Sequence, residues 1–261
     1  MNLNLDKLLQ DASEIVVEAG KKLMPYFGNI EHQAKTHPHD VVTELDKSTE
    51  KEIASRLEKL DPTIGFRGEE FGFSKKADTY WLLDPIDGTM HFVRGMPFCT
   101  TMLALIHENR PVLAIINNFV TNELLTAVEG GGTFCNGKRV NVSDRPNGQF
   151  ILSLETKLKK PANTKLRDEL RKRAYLIQVI CSGYEFCLVA QGKIEGRVCK
   201  DPLGYDYDFA PGCLLVKEAG GVVTNIGSTK YDFSNRDLIA ASPKLYKELV
   251  ETKNALFPVG E

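Results

Sequence analysis

Apolar residues recur at Leu5, Leu8, Leu9, Ala12, Ile15, Val16, Ala19 and Leu23, a three-and-four spacing that predicts an amphipathic helix ending before Pro25 and Gly28. A second helix is expected over Thr43–Leu60, with Leu45, Ile53, Leu57 and Leu60 on one side and charges elsewhere. Its acidic start suits the positive end of a helix dipole. From Cys99 the pattern shortens to the runs TTMLALI, VLAIINNFV and ELLTAVE, broken by polar turns, which predicts an antiparallel meander. Gly130 to Gly132 and Asn136-Gly137 mark further turns. After about residue 145 the strand-like runs FILSLE, YLIQVI, GRVCK, GVVTNI and DLIAAS alternate with the helix-like SGYEFCLVAQG and YDFAPGCLLVKEAGG and a last helix from Pro243. That alternation predicts a sheet covered by helices. The expected organisation is an antiparallel α+β half over residues 1–145 and an α/β half over 146–261. No Pro-, Gly- or Ser-rich linker separates them, so they are expected to pack as one rigid unit.

Composition narrows the function classes more than the fold. A length of 261 residues supports a full core, and 42% hydrophobic with 26% charged residues is ordinary globular material. A formal net charge of -2 argues against a surface wholly devoted to binding polyanions. No apolar run reaches the length of a membrane span, and the first residues lack the features of a signal peptide. Six cysteines are scattered through apolar segments without zinc-site spacing, and they read as buried thiols of a reducing cytoplasm. A cytoplasmic location is therefore expected.

The stretch WLLDPIDGT, Trp81 to Thr89, breaks the apolar logic by placing Asp84 and Asp87 directly behind a strand-like run. The residue before proline is pushed out of the α region, so Asp84 is expected to end the strand. Pro85 to Gly88 would then turn and bring the Asp87 carboxylate back toward Asp84. Gly88 lets backbone amides approach an anion, with the Thr89 hydroxyl beside them. Paired carboxylates next to such amides are the parts of a metal-dependent phosphoryl-transfer site. A lone DxxD, by contrast, is more often an Asx turn capping a helix.

The wider context favours the first reading. WLLDPIDGT, FRGEEFG at Phe66 to Gly72, DVVTELD at Asp40 to Asp46 and YDFAPGCLLVKEAGG at Tyr207 to Gly221 together resemble the inositol monophosphatase family of magnesium-dependent, lithium-sensitive phosphatases, in that family's order. The resemblance implies a layered αβαβα sandwich of the inositol monophosphatase/fructose-1,6-bisphosphatase type, and usually a homodimer. It implies two or three Mg2+ ions held by Glu69, Asp84, the Ile86 carbonyl, Asp87 and Asp208. It further implies that Asp46 and Thr89 orient and deprotonate the attacking water, while Asp87, Gly88 and Thr89 border the phosphate. If the GEE segment is extended, Glu69 and Glu70 point to opposite faces, and only Glu69 reaches the metals. Structural alternatives stand beside these roles: Asp208 as a helix cap, Asp46 as a first-turn helix carboxylate, and Lys35, which could steer the phosphate, as a solvated lysine.

The sequence departs from the family pattern at three places. DGTMHF has His91 where the family has Asn, and Tyr207-Asp208 replaces Trp-Asp. A Glu that holds substrate hydroxyls is replaced by Asp201, with Asp206 as its rival. Tyr-Asp is similar to family members that dephosphorylate histidinol phosphate. The substrate expected first is inositol monophosphate, with histidinol phosphate, a sugar bisphosphate or a 3'-phosphonucleotide as alternatives. The basic run Lys157 to Arg173 admits an RNA or transcription-complex role, although no interleaved aromatics accompany it to stack bases. His37-Pro38-His39-Asp40 is expected to be an exposed turn.

Overall fold

A computed structural model describes residues 3–31, 33–34, 41–178 and 181–259. The first helix, α1 (Leu5–Leu23), and the second, α2 (Glu44–Leu60), fall where the apolar spacing places them. Between them lie the short paired strands β1 (Gln33–Ala34) and β2 (Val41–Val42). Next come β3 (Gly65–Gly68), β4 (Gly72–Lys75), β5 (Thr79–Asp87) and the one-turn helix α3 (Thr89–Val93). The meander follows as β6 (Thr100–His107), β7 (Arg110–Asn118), β8 (Glu123–Val128), β9 (Gly132–Cys135) and β10 (Lys138–Val140). Together β3 to β10 form one eight-stranded sheet, ordered β10-β9-β8-β7-β6-β5-β3-β4. All its neighbours are antiparallel except β3 and β5, which run parallel, so the first half is not purely antiparallel as expected.

The later elements are β11 (Ile151–Thr156), α4 (Pro161–Arg171), β12 (Tyr175–Ile177), α5 (Ser182–Ala190), β13 (Gly196–Lys200), α6 (Asp206–Glu218), β14 (Val222–Asn225), β15 (Leu238–Ala241) and α7 (Pro243–Val250). Their strands form a mixed sheet ordered β12-β11-β13-β15-β14. The basic polar segment thus contributes α4, and the end of the expected YLIQVI strand, residues 179–180, lies outside the described residues.

Five layers follow from where the apolar faces go. Ala12, Val16, Ile53 and Leu57 of α1 and α2 pack on Trp81, Leu83 and Leu105 of the large sheet. On its opposite face, Phe186 of α5 and Phe209 and Leu215 of α6 pack against Met102, Ile116 and Leu125. The same two helices meet Cys199, Leu238 and Ala240 of the second sheet, whose outer face is covered by Leu170 of α4 and Leu245 and Leu249 of α7. A helix layer between two sheets must be apolar all round, and residues 209–216 of α6 are buried without interruption. Gly212 allows the close crossing of α5 and α6, because a Cβ there would stand 2.2 Å from Phe186. The chain is therefore a layered αβαβα sandwich.

Candidate active site

The strand β5 does not stop at Asp84 but runs through Pro85 to Asp87. Asp84 pairs with Met102 and Asp87 with Thr100, so Pro85 and Ile86 together oppose the single residue Thr101. This bulge replaces the expected turn, and it solves a phase problem. Residues three apart on a regular strand point to opposite faces, whereas one extra residue restores the phase. Tyr80 and Leu82 face α6, Trp81 and Leu83 face α1 and α2, and the bulge lets Asp87 share the α6-facing side with Asp84. Thr101 steadies the bulge by donating from its hydroxyl to the Pro85 carbonyl at 2.9 Å.

Three carboxylates then converge, since ligand atoms of Asp84, Asp87 and Asp208 all lie within 4.8 Å of one another. Asp84 and Asp87 are buried. Asp208, in the first turn of α6, accepts the Tyr205 backbone N–H, so it both caps and faces the cluster. Glu69 reaches the same place by another route. It lies in the turn joining β3 to β4, not in an extended segment, so the alternation argued from sequence does not apply. Its backbone N–H donates to the Leu83 carbonyl at 3.1 Å and its side chain hydrogen-bonds Asp84. Burial, then Glu69, Asp208 and Asp87, hold the Asp84 carboxyl far above the usual range. Asp208 is raised well above it too, by burial and then by Asp87 and Glu69.

Asp87 has the richest set of donors. Gly183 N–H at 2.6 Å, Ser182 N–H at 3.3 Å, the Cys181 thiol at 3.0 Å and the Thr100 hydroxyl at 3.2 Å all point at its carboxylate. The two amides are the N-terminus of α5, where a carboxylate complements the dipole. Burial raises its pKa, and these donors together with Arg197 pull it back. Nothing in SGYEFC suggested this contact, because it joins residues 94 to 96 positions apart.

Gly88 follows with φ +81°, and a Cβ there would lie 2.5 Å from the Phe98 carbonyl, so only glycine fits. Thr89 opens α3, with its hydroxyl 3.1 Å from Asp46 Oδ1 and 2.9 Å from the Ile86 carbonyl. Asp46 serves two ends at once. Its Oδ2 accepts the Thr43 N–H and hydroxyl at 2.6 and 2.7 Å, completing a capping box on α2, and its Oδ1 faces Thr89. Burial lifts its pKa to about 6, against the lowering effect of Thr43.

Two buried groups escaped the sequence reading. The Glu50 carboxylate accepts the Glu70 and Phe71 backbone N–H groups at 2.8 and 3.0 Å and so holds the turn bearing Glu69. A Cβ on Gly68 would collide with it at 2.1 Å. Arg197, 1% exposed, pairs with Glu155 and Glu185 and donates to the Ser182 hydroxyl at 3.0 Å, bracing the start of α5. On the sequence, both look like ordinary charged residues of amphipathic segments.

The remaining residues singled out from the sequence each have their own surroundings or lie outside the described residues. Asp201, with φ +50°, accepts from Lys160 at 2.6 Å and from Asn163 at 3.1 Å, outside the carboxylate cluster. Asp206 is gripped by Arg67. His91 sits on α3 with its ring edge-on to Phe98. Lys35, Asp40 and the His37-Pro38-His39 stretch lie outside the described residues.

The donor set fits a hard divalent cation. Its candidate ligands are carboxylate oxygens with no His among them, and the nearby guanidinium of Arg197 is already matched by two glutamates. Buried like charges at this spacing require a counter-ion or a proton.

Residues 4–255 match the model of the inositol monophosphatase family. The chain belongs to that family. Among its relatives, the "fructose-1,6-bisphosphatase/inositol-1-monophosphatase" of Thermotoga maritima is 29% identical over 245 residues, covering 92% of this chain and 93% of the relative. The histidinol-phosphatase of Chlorobaculum parvum is 31% identical over 247 residues, covering 93% and 95%. The solved Thermotoga maritima IMPase is 28% identical and superposes with a TM-score of 0.84 over 92% of this chain and 94% of that one. This family of metal-dependent phosphatases acts on small phosphate esters, and the chain is a phosphoric monoester hydrolase. Among the described residues, no helix is long and apolar enough to cross a membrane.

Proposed function

We propose that this enzyme is a Mg2+-dependent phosphatase of a small polyol phosphate, with inositol monophosphate as the leading substrate. The observation that supports it most is the convergence of Asp84, Asp87 and Asp208 beside the Thr89–Asp46 hydrogen bond. In this reading Glu69, Asp84, the Ile86 carbonyl, Asp87 and Asp208 hold two or three Mg2+ ions. When bound, such ions neutralise phosphate charge and make the attacking water more acidic. The Thr89 hydroxyl orients that water and passes a proton toward Asp46 Oδ1. A carboxylate with its pKa lifted to about 6 is a stronger base than a solvated one and is still ionised near neutral pH. Gly88 and Thr89 border the phosphate, and Asp201 keeps lone pairs for substrate hydroxyls beyond those used by Lys160 and Asn163. Homodimerisation, lithium sensitivity and a cytoplasmic location belong to the same reading.

A phosphate-release assay with Mg2+ across inositol monophosphate, histidinol phosphate, fructose 1,6-bisphosphate and a 3'-phosphonucleotide tests it. Highest kcat/KM on the first supports the reading; release that survives EDTA sinks it.

One feature favours a bisphosphate as the second reading. A cavity of about 610 Å³, lined by Leu154, Leu158, Leu203, Glu155 and Glu185, has Lys157 and Lys159 at its wall. Its wall adjoins the cluster, because Glu155 accepts the Gly204 N–H and a Cβ on Gly204 would lie 2.9 Å from Asp208 Oδ2. If a second anionic group on the leaving portion sits there, Lys157→Ala/Lys159→Ala raises KM for a bisphosphate about 10-fold, the value of one charged hydrogen bond, and leaves a monophosphate unchanged. Equal effects on both substrates would remove this subsite. Other cations of the basic run are engaged within the chain, with Arg167 on Asp168, Lys172 on Glu169 and the largely buried Arg173 on Glu248, which argues against an RNA-binding role.

A further inference from the structure

Two segments remote in sequence bring Glu69 and Asp208 to one site, and an ion pair joins them. Arg67 Nη1 and Nη2 lie 2.5 and 2.9 Å from Asp206 Oδ2 and Oδ1, a two-pronged contact across 139 positions. Arg67 stands two residues before Glu69 and Asp206 two before Asp208. Both partners are largely buried, at 25% and 16% side-chain exposure. The guanidinium is also laid over Phe73, 5.4 Å from the ring centroid, and Phe73 packs edge-on against Tyr80.

We propose that the Arg67–Asp206 pair is a latch that positions Glu69 and Asp208 for cation binding, an inference that rests on the metal-dependent reading above. Mutual repulsion among Glu69, Asp84, Asp87 and Asp208 pushes α6 away from the turn at the end of β3. Each segment has local support: Glu50 holds the turn, and Arg236 donates to the Gly204 carbonyl at 2.7 Å ahead of α6. Neither support spans the gap between turn and helix. The fork of a guanidinium on a carboxylate does, and its planar geometry fixes orientation as well as distance. Arg67 and Asp206 are positioning residues, acting on the cations through Glu69 and Asp208.

Charge alone and positioning predict opposite signs, which makes the test decisive. Arg67→Met removes a positive charge and Asp206→Asn a negative one. A purely electrostatic role would tighten Mg2+ in the first variant and weaken it in the second. A latch weakens both, by about 10-fold each, the lower end of what outer partners of metal ligands contribute. The double variant should then be no weaker than the worse single, since the two residues act as one unit. The measurements are Mg2+ calorimetry and the Mg2+-induced rise in Tm, read beside the Tm without metal. Opposite signs in the two singles overturn the latch. So does a lowered metal-free Tm with unchanged Mg2+ affinity, which is what a merely structural pair would give. Arg67→Lys, which keeps the charge without the fork, guards against misfolding; unchanged Mg2+ affinity in it also overturns the proposal. If the wild-type chain binds no Mg2+, the metal-dependent reading falls and the latch with it. If the wild type binds Mg2+ and hydrolyses substrate while the variants bind as it does, only the latch falls.

Discussion

Asp84→Asn should reduce Mg2+-dependent turnover to background while raising the melting temperature of the metal-free protein. Asn keeps the oxygen that accepts the Ile86 N–H at 3.0 Å, so the bulge retains its hydrogen bond. What it removes is a charge buried among Glu69, Asp87 and Asp208. Two ionised carboxylates within 4.8 Å repel by about 3 kcal/mol at an effective dielectric near 20, and partial protonation lowers the relief actually gained. A rise of several degrees is expected, at about 2 to 4 °C per kcal/mol for chains near this size. Full activity in this variant would remove Asp84 from the metal site.

The buried carboxylates of the cluster, together with Asp46, set a pH dependence with a definite sign. Asp46, Asp84, Asp87 and Asp208 all titrate above the ordinary aspartate value of 3.8. Above that pH the folded chain holds more protons than the unfolded one, so stability falls as pH rises. For Asp46 the loss runs from about pH 4 to about 6, and the raised Asp84, Asp87 and Asp208 add to it with the same sign. Metal-free protein should therefore melt lower at neutral pH than near pH 5, and saturating Mg2+ should shrink the difference. A metal-free Tm that climbs steadily from pH 5 to neutrality would contradict the burial and mutual repulsion of these carboxylates on which both expectations rest.

Thr89→Ala should lower kcat by roughly 10² to 10⁴-fold, the span for losing general-base assistance, with Mg2+ affinity and KM nearly unchanged. The hydroxyl has no charge to offer a cation, and its neighbours are Asp46 Oδ1 and the Ile86 carbonyl. Asp46→Asn should cost a similar factor, and the double variant little more than either single one, because residues that work as a unit are not additive. The stability arm needs separate reading. Asp46 also closes the capping box of α2 through Oδ2, so its replacement costs about 1 kcal/mol of stability as well. Thr89 has no such second duty toward α2. Additive losses in kcat would sink the relay, and near-normal turnover with a lowered melting temperature would leave Asp46 as the capping residue of α2 and Thr89 as a support of the Ile86–Gly88 turn.

Much of this was legible because it is local. The span of α1 follows from its apolar spacing and ends before Pro25. The acidic first turn of α2 was readable as well, and the structure adds that Asp46 closes a capping box with Thr43 and that Gly88 takes a left-handed φ. Four motifs in family order pointed to Glu69, Asp84, Asp87 and Asp208, three of which the structure draws within 4.8 Å of one another. The misreadings are also local and have physical causes. Proline after Asp84 looked like a strand end, yet a bulge lets β5 accept Pro85 without needing its N–H. Glu69 looked like a strand residue because FRGEEFG has no Pro or Asn-Gly to mark the turn that the backbone makes at residues 69–71.

The sequence by itself determined α1, α2, the β6–β8 meander and the strand–helix alternation of the second half, where hard oxygen ligands are available, and which family the chain joins, since periodicity and motif order need only neighbours along the chain. It did not determine α4 in the basic run or the course of β5 past Asp84. Tertiary structure alone decided that the α5 N-terminus meets Asp87, that Glu50 holds the Glu69 turn, that Arg197 is buried between two glutamates, and that Arg67 claims Asp206. Those four contacts join residues 12 to 139 positions apart and lie between different elements. Their partners are chosen by how the layers stack, because a charge taken out of water must be met by whatever polar group the packing brings within reach.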